Sequence, residues 1–236
     1  MKWITGLCLA CSVMAAHAET PLTLGAVGAS PLVPWQVTGL PRQREPFTQF
    51  STVDLDGRRA LRIEADKSYG NLVYRLNPAR AVARLSWLWR VEALNHAGDL
   101  HTKSGDDTAL KVCVFFDLPL EKVPFVERQL LRVARTRTSE PLPAATVCYV
   151  WDAHLPVGTV VPNAFTKRVR YKVLESGSAR LHQWTPEKRN LAADFIELFG
   201  DESKEVPPMT GVAVGADADN THGHSLAHVA DLVLEP

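Results

Sequence analysis

The prediction of a β fold starts from Gly211–Leu234, GVAVGADADNTHGHSLAHVADLVL. Two short apolar runs, Val212–Val214 and Val229–Leu234, flank a polar loop rich in Asp, Asn and Gly, which are residues that break strands. This pattern predicts two adjacent sheet strands with a polar connection. Within the connection, Asp217 and Asp219 lie two residues apart, and oxygen ligands at that spacing can converge on one hard cation such as calcium. The loop is therefore our first candidate for a site.

Most of the remaining chain consists of short apolar or alternating runs separated by turn residues. In the run LSWLWRV, Trp87 and Trp89 point to one side of the strand and the residues between them to the other. About nine or ten such runs, two helices at most and no regular strand–helix alternation predict a mainly β fold, an antiparallel jelly-roll-like β-sandwich with two short helices. In such a fold the first and last strands are commonly neighbours, so the run Val229–Leu234 is expected to close the sandwich.

Two segments break the strand pattern. Phe125–Thr136 carries apolar residues at helical spacing beside three arginines, which predicts an amphipathic helix with a solvated basic face. Contact of that face with an acidic surface or anionic lipid is the alternative. A second helix is predicted to have Thr185 as its N-cap and to end at Gly200. On helical geometry Asp194 faces away from its apolar stripe, and we interpret this residue as a surface charge.

Residues 1–18 have the form of a secretory signal peptide, with one basic residue, an apolar run and a small-x-small motif ending at Ala18. Residues 19–236 are predicted to form a single β-sandwich domain, since no Gly/Ser-rich linker divides them. No later segment has the roughly 18 uninterrupted apolar residues of a membrane span. We therefore expect a periplasmic or secreted protein. The 26 basic and 26 acidic residues argue against general affinity for nucleic acids.

Two cysteines, Cys113 and Cys148, follow the predicted signal peptide, and both lie in strand-like runs. If the two strands are antiparallel neighbours, a disulfide is geometrically possible in an oxidising compartment. Two buried thiols that behave as small apolar side chains are an equal alternative.

A second polar loop, DLHTKSGDD at residues 99–107, precedes an apolar strand. Asp106 and Asp107 in this loop are either ordinary turn residues or groups that bind a cation or pair with Arg90. If this loop meets the loop at Asp217 at one end of the sandwich, the two form a single site. Trp151 and Trp184 are the aromatic side chains that we expect to be exposed for stacking on sugar rings.

Several motifs together resemble the bacterial domain-of-unknown-function family 3047. They are WLWRV at 87–91, DL at 99–100, Lys103 with GDD at 105–107, FD at 116–117, YVW at 149–151, Gly158 with PN at 162–163, RN at 189–190, DF at 194–195, FG at 199–200 and DADNT at 217–221. The resemblance extends from about Trp35 to Leu234. The family has no established activity to carry over, so the resemblance implies a fold and a set of shared motifs.

This family is similar in design to jelly-roll carbohydrate-binding modules, which often end in a strand of the form D-[DIL]-x-[LF] near a structural calcium ion. The corresponding strand here is ADLVL at 230–234, and the resemblance thereby implies Asp231 as a further calcium ligand. Ala230 and the preceding His228 and Val229 depart from the usual pattern. The predicted ligand-binding residues are Arg90, Lys103, Asp106, Asp107, Trp151, Trp184 and Asn220, and the predicted metal ligands are Asp217, Asp219 and Asp231.

The main functional prediction is a noncatalytic envelope module that binds a glycan or another extracellular ligand, with calcium as a structural cofactor. The alternative is a glycan hydrolase or lyase in which Asp106 or Asp107 faces Asp217 or Asp219, since paired carboxyl groups about 5 to 9.5 Å apart flank the bond in such enzymes. The sequence contains no nucleophile elbow, H-E-x-x-H motif or Gly-rich phosphate loop. A zinc-type site at the three histidines of 222–228 is a third possibility, with incidental histidines as the default.

Overall fold

The short apolar and alternating runs form strands in a computed structural model that describes residues 22–23, 34–40, 43–44, 46–81, 84–138 and 140–235. The predicted signal peptide lies outside the described residues. In chain order the strands are β1 Leu22–Thr23, β2 Gln36–Thr38, β3 Gln49–Leu55, β4 Arg58–Asp66, β5 Tyr69–Arg80, β6 Arg84–Ala93, β7 Leu110–Phe116, β8 Ala145–Asp152, β9 Val160–Pro162, β10 Val169–Ser176, β11 Thr185–Asn190, β12 Met209–Asp217 and β13 His224–Glu235.

The strands form two sheets packed face to face. The six-stranded sheet has the order β11-β6-β13-β4-β3, with β1 beside β13, and the seven-stranded sheet has the order β2-β5-β12-β7-β8-β10-β9. Neighbouring strands are antiparallel except for the parallel pair β8 and β10. Leu22 on β1 is paired with Leu234 on β13, so the last strand lies beside the first. The predicted mainly β, jelly-roll-like sandwich is confirmed.

The strands β12 and β13 are not neighbours, so the predicted pairing of the two runs in Gly211–Leu234 is wrong. β12 lies between β5 and β7, whereas β13 lies between β4 and β6 in the other sheet. The polar connection crosses from one sheet to the other, and the backbone N–H of Ala218 donates to the carbonyl oxygen of Ser68 at 2.9 Å on the way. Local apolar patterning defines each strand but carries no information about its partner.

In the described part of the chain two α-helices interrupt the strands, α1 at Phe125–Arg135 and α2 at Leu191–Phe199, and a short 3-10 turn occupies Leu120–Lys122. The prediction of α1 is confirmed. The predicted start of α2 is wrong, because Thr185–Asn190 pairs with β6 as an edge strand, where Pro186 removes no interior ladder bond. The Asn190 side chain caps α2 instead, accepting from the backbone N–H of Ala193 at 3.1 Å.

The core between the sheets is rich in aromatic rings. The ring centroids of Trp87 and Tyr149 lie 5.4 Å apart, and those of Trp89 and Trp151 lie 5.8 Å apart. Trp151 is fully buried, and its indole N–H donates to the carbonyl oxygen of Gly177 at 3.1 Å. The expectation that Trp151 is exposed for sugar stacking is therefore wrong, because it belongs to a strand whose residues are all buried.

Cys113 on β7 and Cys148 on β8 lie directly opposite each other and form a disulfide. Of the two alternatives that the sequence leaves open for these cysteines, the structure contains the disulfide. Its sulfur atoms lie on the side of the seven-stranded sheet that faces away from the main core, next to Val73, Tyr171 and Ala213. No helix among the described residues is long and apolar enough to cross a membrane.

A candidate ligand-binding cleft on the seven-stranded sheet

The outer face of the seven-stranded sheet forms a cleft of about 410 Å³. It arises from simple alternation along the strands. On β12, Val212 and Val214 enter the main core, whereas Ala213 and Asp217 line the cleft on the opposite face. The same alternation on β7 directs Lys111 to the cleft. A cleft of this size lies in the ordinary range of small-ligand sites.

Three rows of residues cross this face in the register of the sheet. The first row is Asn71, Gly215, Lys111, Val150 and Val173. The second is Val73, Ala213, Cys113, Cys148 and Tyr171, and the third is Arg75, Gly211, Phe115, Thr146 and Val169. The first row lies next to the polar loops and carries an amide and an ammonium group. The second and third rows make most of the floor apolar.

Glycine at position 215 lets Asn71 approach the floor of the cleft. A Cβ atom at Gly215 would collide with the Asn71 amide and with the carbonyl oxygen of Gly70. The Asn71 amide also donates to the Tyr69 hydroxyl at 3.0 Å. The polar end of the cleft therefore depends on a close approach of β5 to β12 that only a residue without a side chain permits.

The two polar loops, residues 99–107 and 217–221, meet at this end of the cleft, and we call them the acidic loops. Asp107 joins them: its Oδ2 accepts from the backbone N–H of Thr221 at 2.8 Å and from its hydroxyl at 2.6 Å. Its Oδ1 accepts from the backbone N–H of Asn220 at 3.2 Å. The alternative in which Asp106 or Asp107 pairs with Arg90 is wrong, since Arg90 forms ion pairs with Asp56 and Glu92 on the six-stranded sheet.

Asp217 and Lys111 form a buried ion pair below the acidic loops. Lys111 Nζ donates to Asp217 Oδ2 at 2.5 Å, and the other carboxylate oxygen accepts from the backbone N–H of Thr108 at 2.7 Å and from its hydroxyl at 2.5 Å. Burial alone would lower the pKa of Lys111, but the adjacent carboxylate outweighs it and raises that pKa. Both Asp217 oxygens are thus used within the protein.

Asp106 differs from Asp217 because one of its oxygens lacks a partner. Its side chain is buried, Oδ2 accepts from the Asn163 amide, and Oδ1 has no hydrogen-bond partner among the described residues. Burial, followed by the negative charge of Asp217, raises the pKa of Asp106 to about 7. Asn163 also donates to the Tyr171 hydroxyl at 2.9 Å, which fixes its amide beside the carboxyl group.

Asp219 is the second carboxyl group with an unused oxygen. It is half-buried, it lines the cleft, and its Oδ1 has no partner in the described part of the chain. Burial and the charges of Asp217 and Asp107 raise the pKa of Asp219 to about 6. The cleft therefore contains two carboxyl groups, Asp106 and Asp219, that titrate near neutral pH.

The rim of the cleft is formed in part by Phe165, whose side chain is 57% exposed. Lys103 is exposed, and its Nζ lies 5.4 Å from the centroid of the Phe165 ring. Phe165 comes from the long loop between β8 and β10, where the sequence showed only unusual length. Asn163, from the same loop, and Tyr171 were also missed, because their place in the cleft depends on the pairing of β10 with β8 and β9.

Trp184 and Asp231 lie outside the cleft. Trp184 precedes β11 on the six-stranded sheet, is half-buried, and has the guanidinium carbon of Arg58 5.9 Å from its ring centroid. Arg58 also forms an ion pair with Asp231. The structure therefore does not bring Asp231 together with Asp217 and Asp219, the other two predicted calcium ligands.

No three His, Cys, Asp or Glu side chains in the described ranges are placed to share one metal ion. The three histidines of residues 222–228 do not converge. His224 contacts Glu64 at 3.2 Å, His228 is buried 3.5 Å from Glu92, and His222 is exposed. The structure consequently brings together neither the three predicted carboxylate ligands nor the three histidines.

Comparison with known proteins identifies a family but no activity. The sequence model of the family described as "Protein of unknown function (DUF3047)" matches residues 33–233. A search of curated proteins gives no match.

Several solved structures share the fold at low identity. The xyloglucanase domain of NopAA, a type three effector from Sinorhizobium fredii in complex with cellobiose, is 7% identical, with 86% of this chain and 93% of that chain covered and a TM-score of 0.45. Trichoderma harzianum endoglucanase 3 of family GH12 is 8% identical, with coverage of 85% and 96% and a TM-score of 0.39. The endo-1,4-beta-glucanase CelB2 is 12% identical, with coverage of 92% and 96% and a TM-score of 0.37.

Proposed function

This chain belongs to the DUF3047 family of proteins of unknown function, and we propose that it is a noncatalytic module that binds a glycan segment in the cleft of the seven-stranded sheet. One observation carries the proposal. The cleft contains Asp106, a buried carboxyl group whose Oδ1 has no donor among the described residues. A buried acceptor without a donor is costly, and a ligand with several hydroxyl groups supplies the missing donors.

The rest of the cleft lining is complementary to the apolar faces of a sugar ring. Pyranose rings have apolar C–H faces, which pack on aromatic and aliphatic side chains while their hydroxyl groups bond to planar carboxylates and amides. Phe165 at the rim and the apolar second and third rows supply the first kind of contact, and Asn71 and Asp219 at the polar end supply the second. We therefore expect the hydroxyl-rich edge of the ligand to lie against the acidic loops.

A second candidate function is hydrolysis or lysis of the bound glycan. The observation that favours it is the pair of pKa values in one cleft, about 7 for Asp106 and about 6 for Asp219. Both carboxyl groups therefore titrate near neutral pH, the range in which an acid–base pair works best. In this version Asp106 donates a proton to the leaving oxygen and Asp219 acts as the base or nucleophile.

Affinity electrophoresis of residues 19–236 through gels that contain different bacterial and plant polysaccharides tests the proposal. Retardation without new reducing ends supports the binding module. New reducing ends that disappear in Asp219→Asn and persist in the matched surface variant Asp231→Asn support the enzyme. Wild-type protein that is retarded by none of the glycans and releases no reducing ends counts against both functions.

We further propose that the protein is exported to the periplasm or secreted and uses calcium as a structural cofactor. The Cys113–Cys148 disulfide supports export, because disulfides persist in oxidising compartments. Cell fractionation, together with sequencing of the mature N-terminus, which is expected at Glu19, tests the export.

Calcium binding remains a prediction for the loop at Asp219, and an electrophoresis lane with a chelator tests it. Unchanged retardation and unchanged thermal stability would contradict a calcium requirement.

A further inference from the structure

The helix α1 presents its apolar side chains to solvent. Phe125, Val126, Leu130 and Val133 are between 49% and 67% exposed, and Leu131 is the buried residue of this helix. A surface helix ordinarily turns its apolar stripe toward the core. The exposed stripe of α1 is therefore unusual for a helix that only covers the domain, and exposed apolar patches of this kind commonly mark contact surfaces.

The three arginines of the helix lie along one edge of this stripe. At about 100° per residue, the four exposed apolar residues occupy a sector of roughly 140°, which also contains Gln129. Arg128, Arg132 and Arg135 fall in an adjoining sector of about 60°. The Arg128 guanidinium carbon lies 5.7 Å from the centroid of the Phe125 ring. The apolar stripe and the arginine edge thus form one continuous surface along the helix.

The charge of this surface is positive and not neutralised within the described residues. Glu127 turns inward, where its carboxylate lies 3.6 Å from Nε of Arg168 and its side chain is only 17% exposed. Arg135 donates to the carbonyl oxygen of Leu142, which is a neutral acceptor. Arg128 and Arg132 form no ion pair with a described residue. The outer surface of α1 consequently combines apolar and cationic groups without an exposed acid.

We propose that α1 is a docking surface for an anionic lipid bilayer. Its apolar stripe enters the boundary between headgroups and acyl chains, and Arg128, Arg132 and Arg135 reach the lipid phosphates at the edge of the contact. A second copy of this chain fits less well as the occupant, because symmetric contact of two such helices would bring six arginines to one interface. An anionic bilayer is complementary to both the apolar and the cationic parts.

Docking through α1 would also place the cleft near the lipid surface. The segment that follows the helix, residues 140–143, lines the end of the cleft opposite the acidic loops. The proposal does not depend on what the cleft binds, since it uses only the composition and exposure of α1.

Co-sedimentation of residues 19–236 with phospholipid vesicles tests this surface. We expect binding to vesicles of phosphatidylcholine and phosphatidylglycerol in equal parts, and binding at least about tenfold weaker to pure phosphatidylcholine or in high salt. The double variant F125S/L130Q should bind about tenfold or more weakly, because the apolar contact is lost. R132Q/R135Q should lose the preference for anionic vesicles. V157S, which alters an equally exposed valine elsewhere, should bind as the wild type does.

All of these substitutions are at exposed positions, so circular dichroism and thermal unfolding are expected to show folded variants. Equal binding of the wild type and F125S/L130Q would overturn the proposal, as would failure to bind anionic vesicles. A concentration-dependent dimer in analytical ultracentrifugation that F125S/L130Q abolishes would assign the surface to a second copy instead.

Discussion

Lys111 Nζ and Asp217 Oδ2 lie 2.5 Å apart, with both side chains at most 5% exposed beneath the acidic loops. This pair neutralises one carboxylate of the polar end and leaves Asp106 and Asp219 as the groups with unused oxygens. Burial, followed by the nearby charge of Asp217, raises the pKa values of both groups, and the Lys111 ammonium opposes that rise. Lys111 and Asp217 are therefore occupied with each other beneath the cleft. The neighbouring carboxyl groups of Asp106 and Asp219 are the ones available to a ligand.

Removal of one charge from this pair is expected to destabilise the fold. Asp217→Asn leaves the Lys111 ammonium buried without its counter-ion, which should lower the free energy of unfolding by about 3–5 kcal/mol. The matched control Asp231→Asn breaks the exposed pair with Arg58 and should cost about 0–1 kcal/mol. Urea unfolding of the three proteins measures both values. Equal losses in the two variants would show that the buried pair has no special role.

Asp106 should make the protein less stable as the pH rises toward neutrality. Its pKa is about 7 in the folded chain, against an ordinary value of 3.8, so between these values the folded state holds a proton that the unfolded state releases. Its contribution is fully present below about pH 4 and is lost by about pH 7, at up to about 1.4 kcal/mol per pH unit.

The variant Asp106→Asn keeps the neutral form at every pH and serves as the comparison for this effect. Its stability relative to the wild type should increase from pH 4 to pH 7 and then become constant. Urea unfolding at intervals of one pH unit measures the difference between the two proteins. A difference that does not change with pH would mean that Asp106 titrates normally.

The disulfide should contribute to stability in an oxidising medium. Cys113 and Cys148 close a loop with a sequence separation of 35, and bonds of this kind commonly stabilise a domain by about 2–4 kcal/mol. We expect dithiothreitol to lower the denaturation midpoint of the wild type and to leave that of C113A/C148A unchanged. A midpoint that is the same with and without dithiothreitol, while thiol titration confirms reduction, would contradict this.

The local patterns of the sequence predict the fold well, because strand alternation and helical spacing are properties of short segments. LSWLWRV became β6 with Trp87 and Trp89 in the core, and Phe125–Thr136 became α1. The partners of the strands could not be predicted in the same way. The assignment of Thr185–Asn190 to a helix failed because its pairing with β6 is a tertiary contact.

In the candidate site, too, the sequence predicts the local features and not the contacts between strands. The acidic loops were found because Asp and Asn in turn sequences are visible locally, but the ion pair of Asp217 with Lys111 depends on neighbouring strands. Helical spacing predicts Asp194 as a surface charge, but the structure buries its carboxylate, which accepts from Tyr149, Lys172 and Arg189. Helical geometry predicts the direction in which the Asp194 side chain points. It does not predict that strands of the sheet lie on that side and bury the carboxylate.

The most direct test of the central claim is the dissociation constant, by calorimetry, for the polysaccharide that most retards the wild type. Phe165→Ala removes the exposed ring at the rim of the cleft, and Phe125→Ala removes a comparably exposed ring on α1 as the control. The account predicts binding about tenfold weaker for Phe165→Ala, through loss of stacking on the sugar, and unchanged binding for Phe125→Ala. Equal affinity of Phe165→Ala and the wild type would place the ligand outside the cleft and contradict the account.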